Sequence, residues 1–222
     1  MPLAKIEQRR ATDEVHQALR DAILTRVFSP GQRLNVEDLA ANLGVSFTPV
    51  RQALQLLAAE GLIVIQPRSG TYVATLSPRD VEETFDIRRA LECLAAETAV
   101  VNATDEDFAV VRKLLEQLAA PIASEEDHSK HVAANTELHH TIIRLSGNRR
   151  VAEMYEGLHA HLTIARLHRA ASSWQSRLDL EHAEHEQIVE ALCNRDAKAL
   201  QSALRKHIGR AKRELVNQLL EQ

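Results

Sequence analysis

Two short apolar stretches of helical spacing, 36–43 and 48–57, are separated by nothing longer than Gly44-Val45-Ser46. A break that tight forces two short helices to meet at one corner, and the residues around it agree. Asn35 is a plausible N-cap for the first helix. Thr48 followed by Pro49 reads as a cap and a first helical residue, where the missing N–H of proline costs nothing. Upstream, Val15, Leu19, Ala22 and Ile23 make one apolar stripe, as do Val50, Ala53, Leu54 and Leu57 within the second stretch. Downstream, residues 62–66 and 71–75 are apolar or β-branched runs around Pro67-Arg68-Ser69-Gly70, the pattern of a two-stranded hairpin. Three helices and a hairpin in this order predict a winged helix-turn-helix.

The remaining text is different in character. From Ser77-Pro78 onward, long periodic segments are broken near Thr104, 121–124, Gly147-Asn148, Ser172-Ser173 and 194–196. A boundary near residue 76 divides the chain into 1–76, a DNA-binding-type module, and 77–222, an all-helical bundle. Composition supports a mainly α protein: 45% of the 222 residues are hydrophobic, only 3% aromatic, with 7 Gly and 6 Pro. No repeat or low-complexity tract is visible. Cys93 and Cys193 form no framework, which fits a reducing cytosol. The start MPLAKIEQRR lacks an apolar core and the longest aliphatic run is 62–65, so neither secretion nor a membrane span is expected and the location is cytoplasmic.

The net charge of -4 hides an asymmetry. Residues 1–75 carry 8 Lys+Arg against 7 Asp+Glu, hence +1, and the remainder 19 against 24, hence -5. The acidity therefore belongs to the second part, and the first can face nucleic acid.

In a helix-turn-helix the second helix offers its N-terminal side chains to base edges in the major groove. Here these are Ser46, Phe47, Thr48, Arg51 and Gln52. Thr48 can bond a phosphate, Arg51 a phosphate or a guanine edge, and Gln52 an adenine bidentately. At the hairpin tip Arg68 can reach a neighbouring minor groove, with Gly70 permitting close backbone approach. The same module also serves as a protein-interaction unit, so the pattern alone leaves both uses open.

Residues 15–73, VHQALRDAILTRVFSPGQRLNVEDLAANLGVSFTPVRQALQLLAAEGLIVIQPRSGTYV, resemble the DNA-binding domain of GntR-type bacterial transcription regulators, matching the motif PGxRLxxxxLAxxLGVSxTPVRxALxxLxxEGL almost throughout. The resemblance implies a double-stranded operator as partner. One departure stands out: where that family commonly has Arg between Ser and Thr, this chain has Phe47. A phenylalanine there could touch a thymine methyl or pack against the first helix.

Ten of the 11 histidines fall between His128 and His207. Asn135 and His139 are four apart and share a helix face, while His185 and His207 belong to later helices. Three imidazoles and an oxygen ligand would make an open site suited to a divalent metal such as Zn, Ni or Mn, although convergence from three helices does not follow from spacing. Residues 79–218 resemble the FCD effector domain of the FadR-like branch of the same regulators, through Arg88 to Glu92, NTELHHTIIRLSGN, HEQIVEAL and RKHIGRA. That resemblance implies His139, His185 and His207 as metal ligands, with Asn135 standing where the family often has Asp. It also implies a small carboxylate effector. Arg88 or Arg166 could hold that carboxylate, though Arg88 among glutamates could equally be an ion-pair partner. His182 could line the pocket or be structural, His140 points about 100° away from His139, and His159 and His161 share the helix of Arg166.

Together these readings predict a homodimeric, cytoplasmic, operator-binding regulator, in its commoner mode a repressor, controlled by a small organic acid beside a divalent metal. The rival is a metal-dependent enzyme, since an open N/O site also activates water; a third reading is a regulator that senses the ion itself.

Overall fold

A computed structural model of the chain describes residues 8–25, 27–75, 77–158, 162 and 175–221. Two compact units emerge, the first running to Ser77 and the second starting at Pro78.

The first unit is built from α1 (Gln8–Leu24), β1 (Arg33–Leu34), α2 (Val36–Leu43), α3 (Phe47–Ala59), β2 (Ile63–Gln66) and β3 (Gly70–Val73). Its core is the meeting of the two expected stripes: Val15, Leu19 and Ile23 of α1 against Val50, Leu54 and Leu57 of α3, all buried. Asn35 caps α2 by accepting from the Glu37 amide at 2.8 Å. Gly44 closes α2 in the left-handed region, at φ 66° and ψ 29°, a conformation that favours glycine.

Three details of this unit differ from expectation. First, α3 starts at Phe47 with Ser46 as its N-cap, so Pro49 is the third helical residue and Thr48 lies inside the helix. Proline is tolerated there because the first helical amides have no intrahelical acceptor in any case. Second, the hairpin pairs Ile63 with Val73 and Gln66 with Gly70, one residue tighter than 62–66 against 71–75. Third, the hairpin gains a partner: β1 pairs antiparallel with β3, Arg33 opposite Tyr72, giving the order β1-β3-β2. Two residues are too few for any alternation to be legible in the sequence.

The second unit consists of α4 (Pro78–Asn102), α5 (Asp105–Leu118), α6 (Glu125–Leu145), α7 (Arg149–Gly157), α8 (Gln175–Cys193) and α9 (Ala197–Leu220). The breaks in the sequence are helix caps. Thr104 and Asp107 form a capping box, while Ser124, Asn148 and Asp196 each accept from an amide of the turn they open. The break at Ser172-Ser173 lies outside the described residues. Arg195 adds a cap of another kind, its guanidinium donating to the carbonyls of Val100 at 2.8 Å and Ala103 at 2.7 Å at the end of α4. Long α4 packs along α9 and α6, and the side chains enclosed between them include Ala96, Leu138, Ile142, Leu192 and Leu204. Polar side chains are buried in the same interior, and they make the site.

Candidate functional site

Three of those polar side chains are histidines from three helices: His139 of α6, His185 of α8 and His207 of α9, all buried. One ring nitrogen from each lies within 4.8 Å of the other two. Ring centroids are 5.2 Å apart for His139 and His207, 4.6 Å for His185 and His207, and 6.2 Å for His139 and His185. The sequence resemblance had named these three, and the fold brings them together.

Two of the rings are held by carboxylates. His139 Nδ1 lies 2.6 Å from Glu92 Oε2, and Glu92 Oε1 accepts from Arg88 Nε at 2.7 Å and from the Tyr155 hydroxyl at 2.8 Å. His207 Nδ1 lies 3.0 Å from Glu184 Oε2, which also accepts from Arg210 Nε at 2.8 Å. Arg210 Nη1 in turn holds Glu214 through both carboxylate oxygens. An Arg–Glu–His relay therefore occurs twice, once from α4 to α6 and once between α8 and α9. A carboxylate on Nδ1 fixes the ring and leaves Nε2 as the donor, the arrangement that surrounds metal-bound imidazoles. His185 has no such support, for neither of its ring nitrogens has a hydrogen-bond partner.

Electrostatics agree with ligand duty. Burial, then the neighbouring His207 and His139, pushes the His185 pKa well below its ordinary value; burial, then His139 and Arg88, does the same for His207. Both imidazoles are neutral at physiological pH, with lone pairs available. Burial works against the charge on Glu92, but Arg88 and His139 outweigh it and hold that carboxyl well below the usual carboxylate range. The residues present thus fit a divalent cation: borderline nitrogen donors that converge, two of them held by carboxylates one bond further out.

Asn135 lies one turn before His139 on α6 and is buried, its Oδ1 having no hydrogen-bond partner. A buried carbonyl left unpaired is costly unless it serves a ligand. The side chain of Arg88 is buried; it pairs with Glu92 through Nε, as the ion-pair reading anticipated, yet its Nη2 makes no hydrogen bond. His182 is half-buried and 3.4 Å from Glu186, with Nδ1 buried and unpartnered. His140 packs edge-on against Tyr155 at 5.3 Å. Arg166, His159 and His161 lie outside the described residues.

Glu184, Arg210 and Tyr155 were not singled out from the sequence. Part of the signal was there: Arg210 is one turn beyond His207, and Arg88 stands four before Glu92. Nothing local pointed Glu184 at a histidine 23 residues away.

In the first unit the residues expected to face DNA share one surface. Ser46, Phe47, Thr48, Arg51 and Gln52 are exposed, while Val50, Ala53 and Leu54 of the same helix are buried. Phe47 is 51% exposed. Gln52 Oε1 accepts from Thr12 of α1 at 2.8 Å, so that oxygen is engaged within the fold. Arg68 stands exposed at the hairpin tip at φ 66°, a left-handed conformation that is uncommon outside glycine. Gly70 is obligatory there: at φ 144° a Cβ would sit 2.9 Å from Arg33 Nε.

Comparison with known proteins joins the two units. The family of bacterial regulatory proteins called gntR matches residues 11–73, and the FCD domain matches residues 83–210. An HTH-type transcriptional regulator in an unstable DNA locus of Streptomyces ambofaciens is 30% identical over 209 residues, covering 93% of this chain and 85% of that protein. The Nta operon transcriptional regulator of Aminobacter aminovorans is 31% identical over 174 residues, covering 76% and 77%. Among solved structures, E. coli McbR/YncC superposes with a TM-score of 0.76 at 27% identity over 94% of this chain and 98% of its own.

Proposed function

The chain belongs to the GntR family of bacterial regulatory proteins and carries an FCD domain, and on that premise we propose that it binds its operator as a homodimer under the control of a small carboxylate effector held beside a divalent metal. It is a transcription regulator and not an enzyme, in keeping with its relatives and structural neighbours; the histidine site is read as a sensor, and the metal-dependent enzyme is set aside. Among the described residues no helix is long and apolar enough to cross a membrane. Its place of work is the cytoplasm, where the operator is.

One observation carries the metal reading: three buried imidazoles converge, two of them oriented by glutamates that are themselves ion-paired. His139, His185 and His207 would hold the ion, with the Asn135 oxygen as a fourth donor. Bound there, the metal supplies a Lewis acid for a carboxylate oxygen. None of the four protein donors is a carboxylate, so an anionic effector oxygen would complement the cation's charge. The unpartnered Nη2 of Arg88 supports a second contact to that anion, and His182 and Arg166 are proposed as further pocket residues. An effector with unequal affinity for the DNA-competent and incompetent arrangements shifts their populations. Release of DNA on effector binding, hence repression, is the mode we propose.

At the DNA end, Ser46, Phe47, Thr48, Arg51 and Gln52 enter the major groove while Arg68 and Gly70 bring the hairpin tip to the adjacent backbone or minor groove. Two copies on a pseudo-palindrome supply the contacts that one short helix lacks.

The test combines three measurements on the full chain: elemental analysis, thermal shift against a panel of small carboxylic acids with and without chelator, and mobility shift on the neighbouring promoter. The expected result is about one divalent ion per chain, stabilisation by one acid class only when metal is present, and loss of the shifted band on adding that acid. Protein that carries no metal after growth in metal-replete medium, or stabilisation indifferent to chelation, refutes the metal-dependent sensor.

A further inference from the structure

Phe47 is the first residue of α3 and remains 51% exposed. Among the described residues it is the one aromatic in the set of large, exposed hydrophobic side chains. The side chains around it are polar: Thr48 is adjacent and Arg51 lies one turn along the same outward face, both exposed. A phenyl ring has neither donor nor acceptor. It can satisfy no phosphate and read no guanine, adenine or cytosine edge. The one apolar feature a base pair presents in the major groove is the C5-methyl group of thymine.

We propose that Phe47 is a specificity-determining residue that reads thymine through its methyl group, while the neighbouring Arg51 supplies the polar contact one helical turn away. The inference rests on the operator reading above and adds to it the chemistry of one operator position. An aromatic ring suits the role because it brings a large apolar face with only two side-chain torsions to order. Excluding water between the ring and one methyl is worth about 3- to 5-fold in affinity, the value of burying a single methyl-sized group.

The experiment selects bound sequences from a random duplex pool with the full-length protein and with F47A, then replaces each thymine of the enriched site by deoxyuridine, which keeps pairing and removes only the methyl. About half of the Phe47 ring is exposed, and a urea midpoint of F47A equal to that of the unsubstituted protein checks that its fold is kept. The expected result for the unsubstituted protein is a thymine at a fixed position in each half-site and a loss of about 3- to 5-fold when that one thymine becomes deoxyuridine. F47A should bind both duplexes equally, with its salt dependence unchanged because no phosphate contact is lost. Deoxyuridine tolerated at every thymine overturns the inference and leaves the operator reading intact, and so does methyl sensitivity that persists in F47A. A pool from which neither protein enriches any motif overturns the operator reading and this inference with it.

Discussion

Glu92 and His139 stand 47 residues apart in the chain and 2.6 Å apart in the fold, buried together between α4 and α6. The Glu92 carboxylate is shared between that imidazole, Arg88 and the hydroxyl of Tyr155, so it orients the ring and neutralises a buried guanidinium together. Substitutions at Glu92 test both duties.

In E92Q the amide keeps the volume and one acceptor but not the charge. Loss of the carboxylate behind a metal-bound imidazole typically weakens the metal about 10- to 100-fold, and competition with a fluorescent chelator will measure it. Either substitution leaves the buried Arg88 guanidinium without its counter-ion, at a cost of about 3–5 kcal/mol, and E92A loses the acceptor and the volume besides. The urea midpoint should therefore fall in both variants, further in E92A; midpoints unchanged in both would contradict the ion-pair assignment.

Of the three proposed ligands, His185 is the one without a hydrogen bond on its ring. H185A should lose bound metal and the effector response while retaining operator affinity within about twofold, since the substitution lies in the second unit. A metal content by elemental analysis equal to that of the unsubstituted protein would remove His185 from the ligand set.

The pH dependence follows from the two depressed imidazoles. His185 and His207 resist protonation in the fold, whereas unfolded histidines take up a proton near the ordinary value of 6.5. Below that value the unfolded chain binds more protons, so stability is fully present above it and is lost as the pH falls. The slope is about 1.4 kcal/mol per pH unit for each histidine. Chelator-treated protein should unfold at clearly lower urea at pH ~5.5 than at pH ~7.5, and H185A/H207A should flatten that difference.

Arg51 is exposed and lies on the outward face of α3, away from the core. R51A should leave the melting temperature unchanged and weaken operator binding by about 1–3 kcal/mol. If the residue meets phosphate, the salt slope drops by about one and all sequences suffer alike; if it meets guanine, discrimination at one base pair is lost.

At Gly70 the φ of 144° strains any residue with a Cβ, which would also press on the Arg33 side chain. G70A should strain the hairpin by about 1–3 kcal/mol, seen as a lower unfolding midpoint, and should weaken operator binding through displacement of Arg68.

Much of the first unit was legible because its determinants are local. Asn35, Gly44 and the stripes on α1 and α3 act within one or two turns of chain, and they stand where expected. The two-residue β1 and the cap at Ser46 escaped, since strand pairing and helix starts are decided by a residue or two and by neighbours far along the chain. In the second unit the sequence showed where helices break, the structure showed that four of those breaks are caps, and the resemblance supplied the three histidines. It did not supply the shell around them.

Periodicity, caps and turn residues, all interactions between residues a few positions apart, were enough to dictate a winged helix-turn-helix followed by a helical bundle, and to place the reading helix on the chain. That His139, His185 and His207 share one buried point, that Glu92 and Glu184 steady two of them, and that Phe47 faces outward were decided only by tertiary packing. Side chains 23 or 47 residues apart meet solely because buried helix faces fix one mutual arrangement, and no spacing within a single helix encodes where its neighbours will lie.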